Sequence, residues 1–322
     1  MKSQKTQIIE ALFNDETRWK NRKVGGQLVR SEVTFDDIVK VINKTYEERR
    51  DSNPNAKGLS SANPANFWKD FVRKTKSARQ NWPSSISSLG YTGEALKGNR
   101  QSFEFVKFEG GDAFPTTTAT YPKNPATTKL QAVQTLSVAP LFKALARKDE
   151  NWLQSLAVSL HIPHMHLALH PDASVPLIEV GHMQSNMKLR KAEIDGLYLG
   201  TLHRGGVVLL TMEAKGDSDD ILESQLLDQV RAIRSHEKIK EFLIEVGADQ
   251  SKTNIIPMAM KLVNASSMEQ VLGRQEFGVT GKKLLYLVDY AAVPYLGMET
   301  FPLVPRGETL FDLRPPIKGI NA

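Results

Sequence analysis

The chain has 322 residues, 40% apolar and 24% charged, the proportions of a globular protein long enough for two domains. It contains no cysteine, which excludes disulfides, thiolate metal sites and cysteine nucleophiles, and no apolar run reaches the length a membrane-spanning helix needs. The net charge of +6 is uneven: residues 1–100 hold 19 Lys and Arg against 11 Asp and Glu, whereas the remainder holds 23 against 25. A basic front portion suits contact with a polyanion such as DNA, and it would equally serve solubility. Met-Lys-Ser-Gln-Lys-Thr-Gln leads into a short amphipathic segment and not into a signal-peptide core, so a cytoplasmic location is expected.

Thr6 to Phe13 reads as a short helix. Ser31 is a candidate N-cap for a longer one, in which Phe35, Ile38, Val39, Ile42 and Tyr46 recur at helical spacing until Asp51-Ser52-Asn53-Pro54 breaks it. Pro64 opens a third helix, Ala65 to about Gln80, with Phe67, Trp68, Phe71 and Val72 on its apolar side. Arg73, Lys74, Lys76 and Arg79 collect at its C-terminal end, where they are candidates for phosphate contacts; cations there also suit the helix dipole. Ser102 to Glu109 alternates aromatic and charged residues like a strand. Residues 1–112 are therefore expected to form a mainly helical, basic, DNA-contacting region, a winged-helix-like or other helical module. Gly110-Gly111 and the Thr- and Pro-rich stretch Phe114 to Thr128 mark the boundary with a second domain, 113–322.

Beyond the boundary, Val133 to Arg147 and Glu150 to Leu160 are expected as two helices covering a sheet. His161, His164, His166 and His170 fall within ten residues. His164 and His166 would share one face of a strand, a geometry that could bind a transition metal, although core contacts and hydrogen bonds are the commoner use of such histidines. Next come Glu193-Ile194-Asp195-Gly196-Leu197-Tyr198-Leu199, the turn His203-Arg204-Gly205-Gly206, and the apolar run Val207 to Met212 ending in Glu213-Ala214-Lys215. Side chains alternate faces along a strand, so Glu213 and Lys215 point the same way. A hairpin would bring Asp195 beside them. Two carboxylates and an ammonium at one sheet end are costly unless a divalent metal or a phosphate belongs there. Ile221 to His236 then reads as a helix with Leu222, Leu226, Val230 and Ile233 on one side and Gln225 and Gln229 on the other. Ile255 to Val263, Gln275 to Val279 and Leu284 to Ala292 read as strands, with Lys282-Lys283 at a turn. The tail, with Pro302, Pro305, Pro315 and Pro316, is expected as an extended arm.

From about Glu193 to Val230 this pattern resembles the PD-(D/E)XK nuclease superfamily, which includes type II restriction endonucleases, junction resolvases and repair nucleases. The segment Gly58 to Asp70 is also similar, more loosely, to stretches near the front of some restriction enzymes. Asp195 would be the first acid of the motif, Glu213 the second and Lys215 its lysine; Ile194 stands where the name has proline. The resemblance implies an α/β fold with a restriction-endonuclease-like core, a mixed central sheet flanked by helices, behind an N-terminal mainly helical DNA-binding region. It also implies Mg2+, with Mn2+ able to substitute, held by Asp195, Glu213 and the Ala214 carbonyl. Glu179 or Glu193 would be a further acid. Lys215 would steer or deprotonate the attacking water, and Gln225 or Gln229 would orient it. The expected function is Mg2+-dependent hydrolysis of double-stranded DNA by a sequence-specific type II enzyme acting as a homodimer, without a membrane partner. The alternatives are a structure-selective repair or resolvase-type nuclease, a non-catalytic DNA-binding regulator with a nuclease-like core and, more distantly, a histidine-based metallohydrolase.

Overall fold

A computed structural model describes residues 3–15, 23–24, 27–28, 30–55, 57–62, 64, 67, 71, 81–95, 101–108, 121–146, 150–172, 174–188, 193–203, 206–217, 219–273, 282–297, 301–318 and 320. Its contacts divide the chain into two units, Met1–Thr118 and Ala119–Ala322.

In the first unit, helix α1 (Gln4–Phe13) is capped by Ser3, whose hydroxyl accepts from the Thr6 N–H. Helix α2 (Phe35–Ser52) begins with a capping box between Thr34 and Asp37. Its N-cap is thus Thr34; Ser31, the expected cap, lies within a strand. Strands β1 (Lys23–Val24) and β2 (Gln27–Leu28) pair with each other, and β3 (Arg30–Thr34), β4 (Tyr91–Ala95) and β5 (Gln101–Lys107) form an antiparallel sheet of order β3-β5-β4. This unit therefore contains more strand than the helical reading foresaw, because β3 and β4 are too short and polar to declare themselves without their partner β5. The core joins Ile8, Leu12, Phe13, Ile38, Ile42, Phe67, Phe71, Trp82, Phe103 and Phe105, with α3 (Ser84–Ser88) contributing Ile86. Pro64, Phe67 and Phe71 are helical; Arg73, Lys74, Lys76 and Arg79 lie outside the described residues.

The second unit is a mixed α/β structure with a curled sheet flanked by helices. Its strands are β6 (Lys129–Gln134), β7 (Leu177–Lys188), β8 (Glu193–Leu202), β9 (Val207–Lys215), β10 (Asn254–Asn264), β11 (Lys283–Tyr290), β12 (Val293–Pro294) and β13 (Pro305–Arg314). They run in the order β6-β13-β11-β10-β9-β8-β7, with β12 paired to β10. The β9–β10 and β6–β13 pairs are parallel and the others antiparallel. Strands β9, β10 and β11 are apolar on both faces because helices cover both. Helices α5 (Glu150–Ser159) and α6 (Ile162–Leu169) pack Leu153, Leu156, Ala157, Ile162 and Leu167 against Leu210, Met212, Met258 and Leu287. On the opposite face α7 (Glu223–Arg234) and α8 (Glu237–Glu245) bury Val230, Ile233, Ile239 and Leu243 against Leu209 and Ile255. There too α9 (Ala265–Leu272) adds Met268 beside Ala259 and Tyr286.

Three expectations fail here for physical reasons. Val133 and Gln134 end strand β6, and only Pro140–Ala144 (α4) is helical in the stretch read as one long helix. Proline in a helix interior removes a hydrogen bond and clashes with the preceding turn, so Pro140 can only start a helix, while β13 supplies the strand partner. The histidine segment is helix α6, with Pro163 in its first turn, so His164 and His166 share no strand face. The proline-bearing tail is largely an internal strand: β13 lies between β11 and β6, and Pro305 occupies its first position, where a missing N–H is tolerated. Gln275 to Val279 lies outside the described residues. Among the described residues no helix is long and apolar enough to cross a membrane.

Candidate active site at the end of the β8–β9 hairpin

The β8–β9 ladder runs from Thr201↔Val207 to Gly196↔Met212, and Asp195 is the next residue of β8. Where the ladder stops, the Asp195 side chain takes over: its Oδ2 accepts the Ala214 N–H at 2.7 Å. In an antiparallel strand the N–H and C=O of one residue share an edge, so the Ala214 carbonyl lies on the edge that Asp195 closes. Glu213 and Lys215 flank it on the other face of β9. Asp195, Glu213 and Lys215 are 7%, 3% and 3% exposed, so all three charges are held largely away from water.

The Lys215 ammonium lies 2.6 Å from Glu213 Oε1 and donates at 2.9 Å to Glu150 Oε1, at the start of α5. Gln229, fully buried on α7, donates its amide to Glu213 Oε2. Gln225, one turn earlier, has a buried Oε1 with no hydrogen-bond partner. Burial pushes the Glu213 carboxyl up to about 7; Lys215 opposes this, while Asp195 and Glu150 add to it. Burial alone would lower Lys215, but Glu213 and Glu150 outweigh it and hold the ammonium above its ordinary range. The pair thus favours the charged form of Lys215, while burial works against the charged form of Glu213.

The sequence reading missed Glu150, and nothing local marks it. It reaches the site because α5 approaches β8 closely: a Cβ at Gly196 would overlap the Gln154 amide, which donates at 2.7 Å to the Tyr198 hydroxyl. Gln154 lies one helical turn after Glu150. The glycine next to Asp195 thus admits the helix that carries the third carboxylate.

Glu179 takes no part. It is exposed and paired with Thr201, roughly 20 Å along β8 from Asp195 at the usual strand rise. Glu193 begins β8 opposite Lys188, and its side chain lies outside the described residues.

Two carboxylates beside a main-chain carbonyl are hard oxygen donors of the kind Mg2+ takes together with substrate oxygens and water. The raised Glu213 pKa fits such an ion, because a cation would offset the cost of burying this carboxylate beside Asp195 and Glu150. Among the described residues no group of three or more His, Asp and Glu is arranged as a metal cage.

The histidines serve elsewhere. His166, fully buried, donates from Nε2 to Asp289 Oδ1 at 2.9 Å, and its Nδ1 lies 2.9 Å from the Thr309 hydroxyl. Asp289 also accepts from the Gly307 N–H at 2.9 Å and from Arg306 through Nε at 2.8 Å and Nη2. His170 Nε2 lies 3.0 Å from the same threonine hydroxyl and from the Glu308 carbonyl. This network fastens α6 to β11 and β13. Comparison of the chain with protein-family models, curated proteins and solved structures finds no match.

Proposed function

We propose that the chain is a Mg2+-dependent endonuclease of the PD-(D/E)XK kind, hydrolysing phosphodiester bonds of double-stranded DNA. The observation that carries this reading is the meeting of Asp195, Glu213 and Lys215 at the open end of one hairpin, buried, with a glutamine of the following helix on Glu213.

Asp195, Glu213 and the Ala214 carbonyl would hold the ion. When bound, Mg2+ would lower the pKa of a coordinated water and offset charge on the phosphate. The chain's own residues do the rest. Lys215, whose ammonium Glu213 and Glu150 hold above its ordinary range, would stabilise negative charge developing on phosphate oxygens and steer the attacking water. Gln229 fixes the Glu213 carboxylate, and Gln225 presents an acceptor that could orient the attacking water. The core would then be restriction-endonuclease-like, with the basic first unit, including Arg73, Lys74, Lys76 and Arg79, contacting the DNA backbone. A sequence-specific homodimer cutting both strands is the form this reading takes.

Purified protein incubated with unmodified plasmid and phage DNA, in Mg2+ and in EDTA, tests it. Discrete Mg2+-dependent fragments are expected. Preference for branched substrates would make it a structure-selective nuclease instead. Binding without cleavage on every substrate would overturn the enzyme in favour of a DNA-binding regulator.

A further inference from the structure

The turn that follows Lys215 is held from below by a second buried lysine. Strands β9 and β10 are parallel, and their register sets Lys261 directly beside Lys215. In a parallel pair, residues in register share a face, so two lysines emerge side by side from the middle of the sheet. They are sorted to different partners. Lys215 turns to the carboxylates of Glu213 and Glu150. Lys261, 6% exposed, turns to main-chain oxygens: its ammonium donates to the carbonyls of Gly216 at 3.5 Å, Asp217 at 3.4 Å and Asp219. Asp220 Oδ1 lies 3.6 Å away, and the Tyr121 ring centroid 5.7 Å away.

An ammonium offers three donors and no acceptor, and a buried lysine is tolerated only when such donors are matched. Here they are matched almost wholly by the backbone of one turn. The same turn is tied at both ends. Lys283 pairs with Asp217, while the Tyr121 hydroxyl accepts the Ile221 N–H at 2.9 Å and lies 3.4 Å from the Ile221 carbonyl. What the turn connects gives the arrangement its meaning: Lys215 stands before it, and α7 with Gln225 and Gln229 begins just after it.

We propose that Lys261 is a positioning residue of the site, its ammonium holding the carbonyls of Gly216, Asp217 and Asp219 so that Lys215 and Gln229 keep their registration on Glu213. It acts through the main chain and touches neither ion nor DNA. The inference rests on the nuclease reading for its catalytic consequence, and on geometry alone for the turn.

Because the chain has no cysteine, Lys261→Cys introduces a unique thiol. Alkylated in the unfolded state with bromoethylamine and refolded, that thiol regains an ammonium at nearly the lysine position. The full-length protein is compared as wild type, Lys261→Met, Lys261→Cys and aminoethylated Lys261→Cys, by cleavage kinetics in Mg2+, DNA affinity in Ca2+ and amide hydrogen exchange. Lys261→Met and unmodified Lys261→Cys should lose kcat on the order of 100-fold. DNA affinity should hold, and exchange should quicken at residues 216–221 but not in β13. Aminoethylation should restore both kcat and protection. Wild-type kcat in Lys261→Met, unchanged exchange in the turn, or inactivity after aminoethylation would each overturn the proposal. If wild-type protein cleaves no DNA, the nuclease reading fails while the exchange comparison still decides whether Lys261 holds the turn.

Discussion

Asp195, Glu213 and Lys215 at one end of the sheet, and His166, Asp289, Arg306 and Thr309 on β11, β13 and α6, are both buried polar clusters, yet they are built oppositely. Around Asp289 every carboxylate oxygen meets fixed donors: Oδ1 the His166 ring and the Gly307 N–H, Oδ2 the Arg306 guanidinium. Around Glu213 both oxygens also meet donors, Oε1 the Lys215 ammonium and Oε2 the Gln229 amide, but burial, with Asp195 and Glu150 adding to it, pushes the carboxyl up to about 7. The Asp289 cluster is a clamp whose carboxylate meets matching donors, whereas the Glu213 cluster gathers three carboxylates around one ammonium, an excess of negative charge. The histidines, which attract attention in sequence, belong to the clamp.

Removing a charge from each cluster should separate the two roles. Asp195→Ala or Lys215→Ala should reduce cleavage on the order of 1000-fold, about 4 kcal/mol of transition-state stabilisation, with DNA affinity kept. Gel-shift titration in Ca2+ beside plasmid cleavage in Mg2+ reads both, and full activity in either variant would break the comparison. Asp289→Ala should do the reverse. Removing the buried carboxylate that His166, the Gly307 N–H and Arg306 share, with Arg306 keeping the His170 carbonyl and Asp172, should cost about 3 kcal/mol in urea unfolding, while cleavage per folded molecule holds.

A subtler effect belongs to Glu213. Burial raises its folded pKa to about 7 from the ordinary 4.5, so the folded protein keeps a proton that the unfolded chain releases in between. Stability from this group therefore falls as pH rises from 4.5 through about 7. Glu213→Gln, which cannot ionise, should unfold at higher urea than wild type at pH 8, by roughly 1–3 kcal/mol, with the advantage shrinking toward pH 4.5. The same variant should lose Mg2+-dependent cleavage, the usual opposition of stability and function at a strained site. An advantage of the same size at both pH values would show that the Glu213 carboxyl is not held above its ordinary range in the folded protein.

The hairpin, the apolar strands β9, β10 and β11 and the helices α1, α5 and α7 were legible because each carries a local signal: period-two or unbroken apolar runs, caps, or apolar residues at helical spacing. The alternation of a strand was enough to put Glu213 and Lys215 on one face and to bring Asp195 across a glycine turn. What escaped was what local pattern cannot encode. β13 read as an arm because its polar residues Glu308, Thr309 and Asp312 are buried by partners distant in sequence, and β6 read as helix because it is an edge strand, largely exposed, that only its pairing with β13 makes a strand. Glu150 and Lys261 join the site only because α5 settles on Gly196 and the parallel register of β10 places residue 261 beside residue 215. Sequence by itself determined which side chains lie next to each other along a strand or around a helix, since backbone geometry fixes those periods. Only tertiary structure decided which of them are deprived of water and which meet across the sheet, because burial and strand register are set by contacts between segments far apart in the chain.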